Sequence, residues 1–357
     1  MVNTKRKVLP IRCDIDCLEI SSASDVPTIS IGLPVYNGEN FLAEAIESVL
    51  TQTFQDYELV ISDNASTDAT QAICQRYAAQ DGRIRYYRSH INNGPAWNYN
   101  RVFQLAKGDY FKWAAHDDVF EPTFLERTLE RLVQNPSAVL SFSQVRIIND
   151  KSCDIRPYEV EMSLNSKHPA QRFQETISLK HRCYEIFGLI RTDILAQTDL
   201  IGAYAGSDRV LLSRLILQGP FEVVPVPLFK AREHAQQSIA MLRNPRHKHL
   251  RMHDYAVWFD PKNKGKILLP NWRIFYEYFS AIGAVPMSTT EKLACWRILA
   301  RWALSGATLA KLCRDLAIAL VQYIRRPASQ PIKALEEDPK NNKPGLTQVH
   351  SSSRVDQ

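Results

Sequence analysis

Short apolar, β-branched runs alternate with amphipathic segments along the first part of the chain. The run Thr28–Val35 is typical of a strand buried on both faces of a parallel sheet, and helical spacing of the apolar residues predicts a helix over Phe41–Leu50. The same reading predicts strands at Tyr57–Ser62, Ile84–Arg88, Tyr110–Ala114 and Val139–Gln144, and helices at Asp68–Gln80, Trp97–Leu105 and Pro122–Asn135. Short connections between alternating strands and helices predict a mostly parallel sheet covered by helices.

The rest of the chain has a less regular pattern. We expect Ser66 or Thr67 to cap the helix that starts at Asp68. Beyond residue 150 the pattern predicts one strand at Val223–Phe229 and helices at Asp208–Leu217, Asn271–Ala281 and Glu291–Arg326. The predicted organisation is a leader over 1–26, an α/β domain over 27–240, a helical region over 241–326 and a disordered tail over 327–357.

Composition narrows the class of protein. With 357 residues, 45% of them hydrophobic and 23% charged, the chain is neither a disordered nor a disulfide-rich type. Seven scattered cysteines without a CxxC pair argue against a zinc site and suit a reducing compartment. We find no apolar signal-peptide core and no run of 18 apolar residues, and so expect a cytoplasmic protein without a spanning helix.

Charge is distributed unevenly. The net charge of +6 combines a balance of +10 over residues 241–357 with a slightly acidic remainder. Basic residues alternate with Trp and Leu along Glu291–Arg326, which suits a helix lying on anionic lipid; a helix packed against the protein is the open alternative. Aromatic and basic residues do not interleave as in nucleic-acid-binding segments, so we expect no nucleic-acid partner.

Polar residues follow three of the predicted strands. The turn LPVYNGEN places Tyr36 where its ring could stack on a base, and SDNAST places Asp63 where a carboxylate could accept from a base or a ribose. The alternatives are a plain turn for the first segment and a helix cap for the second. Because ligands of parallel sheets bind at the carboxyl ends of strands, the two segments together point to a binding site.

The third segment, WAAHDDVFEP, carries two adjacent carboxylates at the end of an apolar strand. Burying the carboxylates of Asp117 and Asp118 there costs free energy unless they are solvated or bind a ligand. Carboxylate oxygens suit Mg²⁺ or Mn²⁺, which proteins commonly share with substrate phosphates. An Asp-rich turn without a ligand is the alternative.

Two long stretches carry a family resemblance. PVYNGENFLAEAIESVLTQTFQDYELVISDNASTDAT and NNGPAWNYNRVFQLAKGDYFKWAAHDD resemble the family 2 glycosyltransferases, and GSDRVLLSRLILQG and AREHAQQS extend the likeness to about residues 27–240. The resemblance implies a GT-A fold, a nucleotide-diphosphate sugar donor and a divalent cation, Mg²⁺ or Mn²⁺. It also implies a glycan or lipid-linked acceptor, in bacterial polysaccharide or glycolipid assembly. Peripheral contact with the inner face of the membrane is suggested separately, by the basic charge of the C-terminal region.

Site residues follow from matching positions of the motifs. The resemblance implies a nucleotide-sugar site formed by Pro34, Tyr36, Glu39, Asp63, Asn93, Asn100, His116, Asp117 and Arg232. It implies a metal site at Asp117, Asp118 and His234, although the DxD pattern is imperfect here and leaves open which aspartate is the ligand. Asp208 matches the catalytic base of an inverting transfer, with Ser207 where the family has Glu; the alternative role of Asp208 is a helix cap.

Two rival functions would require different residues. A sugar-1-phosphate nucleotidyltransferase needs a Gly-rich, basic loop after the first strand, and LPVYNGEN is not one. A catalytically inactive binding protein of the same fold would be expected to lose the carboxylates, yet Asp63, Asp117, Asp118 and Asp208 are all present. The sequence therefore favours an inverting glycosyltransferase.

Overall fold

The computed structural model describes residues 26–158, 164–178, 182–237 and 251–325. The strands are β1 (Ile29–Val35), β2 (Tyr57–Asp63), β3 (Ile84–Arg88), β4 (Tyr110–Trp113), β5 (Val119–Phe120), β6 (Leu140–Ile148), β7 (Asp154–Tyr158), β8 (Leu189–Arg191) and β9 (Phe221–Arg232). The helices of the sheet-bearing part are α1 (Leu42–Leu50), α2 (Thr70–Gln80), α3 (Pro95–Leu105), α4 (Phe124–Gln134), α5 (Pro169–Ser178), α6 (Thr192–Leu195) and α7 (Ser207–Gln218). These are followed by α8 (Arg251–Phe259), α9 (Pro270–Ala284), α10 (Thr289–Leu304) and α11 (Gly306–Ile324).

One sheet contains all of the described strands, in the order β3-β2-β1-β4-β8-β6-β9-β5, with β7 beside β6. The strands β3, β2, β1 and β4 are parallel, and every residue of β1 and β2 is buried. Such burial on both faces explains the continuous apolar runs in the sequence. The predicted parallel pairing of the first two strands is confirmed, with Ile29 opposite Tyr57 and Val35 opposite Asp63.

The second half of the sheet brings distant segments of the chain together. The short strand β8 is antiparallel to both β4 and β6, whereas β9 runs parallel to β6. At the far edge β5 pairs with β9, so that Val119 lies opposite Lys230. Because β5 directly follows Asp118, this pairing sets the two aspartates beside the end of β9.

Helices cover both faces of the sheet, as expected. On the sheet face that packs against α3, the helix comes very close to β1. A Cβ on Gly32 would lie 2.6 Å from a methyl group of Val102 and 2.7 Å from the ring of Phe111. Glycine therefore permits this helix to pack on the centre of β1. The helix α2 begins at Thr70, so the predicted cap by Ser66 or Thr67 is wrong: the Ser66 hydroxyl accepts from the Asn37 amide instead.

The C-terminal helices pack onto the sheet-bearing part through α5 and α7. Phe173 and Val210 share a buried cluster with Tyr278 and Leu299, and the rings of Phe173 and Tyr278 meet edge to face at 5.9 Å. The helical region is therefore joined to the rest by a common core. Apart from Val26, the predicted leader and the predicted tail lie outside the described residues, as does the predicted boundary at residue 240.

The single helix predicted over Glu291–Arg326 is wrong, because two helices occupy this segment. Ser288 opens α10 with a capping box to Glu291, and Ser305 ends it in an extended conformation before α11 begins at Gly306. A Ser–Gly pair is a common place for a helix to break. Across the part of the chain that the structure describes, no helix is both long and apolar enough to cross a bilayer.

Candidate active site

A cavity of about 630 Å³ opens where β1, β2 and β4 end. It lies at the carboxyl edge of the parallel strands, where ligands of such sheets bind. The cavity is lined by residues of the loops after these strands and of the following segments, including Pro34, Tyr36, Asn37, Asn64, Asn92, Asn98, Tyr99, His116, Asp117, His234 and Trp258.

The loops after β1 and β2 hold each other in place through hydrogen bonds. The Gly38 amide donates to the Thr70 hydroxyl at 2.8 Å, and the Thr67 amide donates to the Asn37 side chain at 2.9 Å. Gly38 must be small, because a Cβ there would lie 2.8 Å from the ring of His116. These contacts fix the cavity wall before any ligand binds.

Of the residues assigned to the nucleoside, Pro34 and Tyr36 line the cavity, and Tyr36 is 44% exposed. Glu39 does not line it, because its carboxylate accepts from the Ala69 amide at 2.9 Å and so ties the two loops together. Tyr36 is therefore exposed enough to stack on a base, whereas Glu39 connects the loop after β1 to the loop after β2.

Asp63 lies behind the cavity wall and is fully buried. One carboxylate oxygen accepts from the Ser66 amide at 2.8 Å, and the other accepts from the Tyr86 hydroxyl at 2.9 Å and from Nε of Arg88 at 3.2 Å. Both oxygens are thus occupied within the protein. A contact between Asp63 and the nucleoside stays a prediction, and the structure gives this residue a loop-shaping role.

Three asparagines line the cavity, Asn64, Asn92 and Asn98, and none of them is among the predicted site residues. Asn64 donates from its amide to Oδ1 of Asn92 at 2.8 Å and accepts from the Asn93 backbone at 2.9 Å. The assigned residue Asn93 directs its own side chain to Ser89 and the Ile91 carbonyl, away from the cavity.

Asn98 has an unsatisfied acceptor at the cavity. Its Nδ2 donates to the carbonyls of Val35 and Ser62, which joins the ends of β1 and β2. Its Oδ1 is buried and has no hydrogen-bond partner among the described residues. An unpaired buried acceptor is costly, so a donor group of a ligand would be favourable here, provided that neighbouring atoms move to expose Oδ1.

Asn100 was assigned to the nucleotide sugar, but the structure places it elsewhere. Its side chain donates to the Ile201 carbonyl at 2.9 Å and accepts from the Ile201 amide at 3.0 Å. The donor and the acceptor of the Asn100 amide are therefore both used to hold the loop that precedes α7. Asn100 does not line the cavity.

Asp117 and His234 form a pair on the cavity wall. Oδ2 of Asp117 lies 2.9 Å from Nε2 of His234, and the His234 ring packs on Phe41 with centroids 4.8 Å apart. Burial alone would raise the pKa of Asp117, but the neighbouring His116 and the bond to His234 hold it below its usual value. The Asp117 carboxylate is therefore ionised and faces the cavity.

Asp118 points away from this pair. Its Oδ1 accepts from the backbone amide of Arg232 at 2.8 Å, and burial together with the charge of Asp117 raises the pKa of Asp118 well above its usual value. Lys112 is buried nearby, with Nζ 3.3 Å from the centre of the Phe120 ring, and burial lowers its pKa well below 10.5. The structure thus separates the roles of the two adjacent aspartates.

Arg232 was assigned to the diphosphate, but its guanidinium is fully buried and committed to the protein. Nε donates to the Asp117 carbonyl at 2.7 Å, and the remaining nitrogens bond to Glu44, to the Asn149 carbonyl and to the Ser152 hydroxyl. Arg232 therefore positions the Asp117 backbone and does not reach the cavity. A single RxH pattern in the sequence does not distinguish these two roles.

Asp208 is the second residue of α7, and the helix follows Gly206, which has a left-handed conformation. Its carboxylate is hydrogen-bonded to the Cys183 thiol, whose pKa is raised by burial and by the charge of Asp208. Asp208 does not line the cavity. Burial first, and then the charges of Asp117, Asp118 and Asp208, raise the pKa of Tyr99, so this cavity residue lies within electrostatic range of all three aspartates.

The donor atoms at Asp117 and His234 fit a divalent cation in part. A carboxylate oxygen and an imidazole nitrogen 2.9 Å apart can bind one ion, with phosphate oxygens and water completing its coordination. Asp118 is turned away, and within the described ranges no three His, Cys, Asp or Glu side chains converge into a metal cluster. A site of this kind would depend on the ligand for the rest of its coordination.

A family profile and similar proteins of known sequence all point to glycosyltransferases. Residues 30–196 match the sequence profile described as Glycosyl transferase family 2. An uncharacterized glycosyltransferase of Haemophilus influenzae is 32% identical over 143 residues, which span 40% of this chain and 55% of that protein. The glycosyltransferase GlyG of Streptococcus pneumoniae is 34% identical over 110 residues, which span 31% of this chain and 36% of GlyG.

A solved structure shows the same fold. Residues 1–349 of TarS from S. aureus, crystallised with UDP-GlcNAc, superpose with a TM-score of 0.50 and 16% sequence identity. The superposition covers 83% of this chain and 91% of the TarS chain. The α/β fold of GT-A type that the sequence predicted is thus confirmed. By contrast, the chain matches only about half or less of the length of its sequence relatives.

Proposed function

We propose that this chain, whose residues 30–196 match the profile of glycosyl transferase family 2, transfers a sugar from a nucleoside-diphosphate donor to an acceptor hydroxyl with inversion at the anomeric carbon. The observation that carries the proposal is the cavity at the ends of β1, β2 and β4. It combines an exposed aromatic ring at Tyr36, an unpaired acceptor at Asn98 and an ionised carboxylate at Asp117.

These three groups suit the base, the ribose and the diphosphate of a nucleotide sugar. The Tyr36 ring can stack on the base, and Oδ1 of Asn98 can accept from a base N–H or a ribose hydroxyl. Asp117 and His234 would hold Mg²⁺ or Mn²⁺ beside the diphosphate. When bound, the cation supplies positive charge that stabilises the departing diphosphate.

We propose uridine or deoxythymidine diphosphate as the nucleotide. TarS, which shares the fold, was crystallised with UDP-GlcNAc, so UDP is the first nucleotide to test. Trp258 and Pro261 line the same cavity as Tyr36 and would give a bound base further apolar surroundings.

Asp208 is the proposed base that takes the proton from the acceptor hydroxyl. Asp208 lies in the first turn of α7, and general-base catalysis needs only one carboxylate in a single displacement. The structure ties Asp208 to Cys183, and a hydrogen bond from a thiol is weak enough to be exchanged for one from the acceptor.

A second cavity, of about 670 Å³, is the proposed entrance for the acceptor. It is lined by Tyr204, Trp272 and Tyr276 and lies beside the loop that leads into α7. Two neighbouring residues of α8 line different cavities. Ala256 lines this second cavity and Val257 lines the donor cavity, so that α8 lies between the two. A glycan or lipid-linked acceptor in polysaccharide or glycolipid assembly fits this position.

Nucleotide binding tests the proposal directly. We expect UDP or deoxythymidine diphosphate with Mn²⁺ to raise the melting temperature, and Tyr36→Ala to weaken the affinity measured by calorimetry. Arg127→Ala, a change of an exposed residue on α4, serves as the matched control and should bind like the wild type. If neither nucleotide binds the wild-type chain with or without Mn²⁺, the proposed donor site is wrong.

A further inference from the structure

The second cavity, which is the proposed entrance for the acceptor, combines aromatic rings with charges that cancel. Its charged lining residues within the described ranges are two acids, Asp199 and Glu277, and two arginines, Arg214 and Arg273. Arg214 forms ion pairs with both acids, at 2.8 Å to one carboxylate oxygen of Glu277, and Arg273 lies 2.6 Å from the other. The lining therefore offers charged hydrogen-bonding groups without a net charge.

These ion pairs restrict the chemistry of a ligand. Because the charges of the two signs are already paired, neither an anion nor a cation gains a net attraction. A hydrocarbon chain would remove four charged side chains from water without giving them a hydrogen bond in return. Sugar hydroxyls can donate to the carboxylates and accept from the guanidinium groups at the same time. The lining therefore suits an uncharged carbohydrate.

Three aromatic side chains form a row on the exposed face of α9. Trp272, Tyr276 and Phe279 are 36%, 60% and 51% exposed, and the first two line the second cavity. Positions four and three apart recur on one side of a helix, so the row extends about 10 Å along the helix axis. Ile274 and Tyr278 lie on the other side and are buried. The row thus begins in the cavity and continues beyond it at Phe279.

Two of the three rings are held in place by the protein. Nε1 of Trp272 donates to the Leu312 carbonyl at 3.1 Å, and the ring of Phe279 stacks on that of Trp296 with centroids 5.6 Å apart. Rings that are already fixed lose little conformational freedom when a ligand stacks on them. The faces of aromatic rings attract the C–H groups of pyranose rings, so a fixed row of them suits successive sugar units of one chain.

We propose that the second cavity and the α9 row together bind an uncharged glycan chain of several sugar units, with Tyr276 as the central stacking residue. The inference names the class of acceptor, and for that role it rests on the proposed transfer reaction. The loop that contains Tyr204 lines the cavity and leads into α7, which carries the proposed base Asp208. One end of the bound chain would therefore lie beside the loop that precedes the base.

Oligosaccharide binding, measured by calorimetry and tryptophan fluorescence on the full chain without donor, tests this assignment. The probes are the tetrasaccharides and disaccharides of cellulose, amylose and chitin. We expect at least one tetrasaccharide to bind about tenfold more tightly than its disaccharide. Tyr276→Ala should weaken that binding about tenfold through the loss of one stacked ring, and Tyr276→Phe should stay within about threefold of wild type. Tyr323→Ala removes an exposed ring of α11 and should bind like the wild type.

A second variant separates a glycan chain from a single sugar. Phe279→Ala should weaken the binding of the tetrasaccharide and leave that of the disaccharide unchanged, because Phe279 is exposed and lies beyond the cavity. Apolar residues 267–269 also line the cavity, which makes a lipid chain the rival occupant. Farnesyl phosphate, titrated in the same way, reports on that rival.

The possible outcomes distinguish this inference from the proposed function. It is overturned if no tetrasaccharide binds, if the disaccharides bind as tightly as the tetrasaccharides, if Tyr276→Ala and Tyr323→Ala bind equally, or if farnesyl phosphate alone binds. Nucleotide binding without glycan binding would reject the glycan subsite and keep the donor site. Glycan binding that depends on Tyr276, without any nucleotide binding, would support the subsite and reject the proposed transfer reaction.

Discussion

Nε2 of His234 lies 2.9 Å from Oδ2 of Asp117, although 117 positions separate the two residues in the chain. The sheet creates this contact, because β5 follows the aspartates and pairs with β9, which ends just before His234. The Arg232 guanidinium fixes the geometry by bonding to the Asp117 carbonyl. A carboxylate and an imidazole are thereby held together on the wall of a cavity, in place before a ligand arrives.

The first prediction concerns this pair. Asp117→Asn should weaken the affinity for Mn²⁺ in the presence of UDP by at least about tenfold, since it removes a charged ligand. Asp118→Asn should leave that affinity unchanged, because the Asp118 carboxylate is directed at the Arg232 backbone. Manganese electron paramagnetic resonance measures both. An equal loss in the two variants would mean that Asp118 also binds the ion.

The second prediction concerns the unpaired acceptor of Asn98. Asn98→Ala should weaken nucleoside-diphosphate binding about fivefold, corresponding to the loss of one hydrogen bond worth about 1 kcal/mol. It should also lower the free energy of unfolding, since Nδ2 joins the ends of β1 and β2. The control is Asn93→Ala, whose side chain bonds away from the cavity and whose loss should leave affinity unchanged. Calorimetry that finds both variants equal to wild type would remove Asn98 from the binding site.

The sequence predicted the sheet more reliably than the roles of single residues. Apolar runs and helical spacing specify strands and helices locally, so β1 to β4 were predicted almost to their ends. The break at Ser305 was missed because the apolar pattern continues through it, although a Ser–Gly pair was there to be read.

Roles of polar residues could not be predicted in the same way. A carboxylate at a strand end can bind a ligand or bind the next loop, and Asp63 and Glu39 do the latter in the structure. Arg232 is likewise occupied by partners from three segments that only the fold brings together. Asn98 was missed because it is the fourth residue of α3 and lies inside a helix, where no turn signal marks it.

The third prediction concerns the buried Lys112. Burial lowers its pKa well below 10.5, so between that lowered pKa and 10.5 the unfolded chain binds more protons than the folded chain. The free energy of unfolding attributable to this group therefore rises with pH across that window. Lys112→Met should be more stable than wild type at neutral pH, with the difference shrinking as pH approaches 10.5. Denaturant titrations at several pH values measure it, and the exposed Lys107→Met, which should show no such trend, is the control.

The last prediction concerns Asp208 and carries the proposed mechanism. In an inverting transfer the acceptor hydroxyl loses its proton as its oxygen bonds to the anomeric carbon, so a carboxylate must stand beside it. Asp208→Asn keeps the shape of the side chain and its place in the first turn of α7, but it removes the basic group. Because general-base catalysis contributes roughly 10²- to 10⁴-fold, the turnover number should fall by about that factor while donor affinity stays intact.

Cys183→Ala provides the matched control for Asp208→Asn, since it removes the thiol bonded to the carboxylate without removing the base. We expect it to keep turnover within about tenfold of wild type, in line with the weakness of a thiol donor. Turnover and donor affinity, measured together for both variants, separate catalysis from structure. A loss of donor affinity in Asp208→Asn would assign Asp208 a structural role, and a product that keeps the anomeric configuration of the donor would exclude the single displacement altogether.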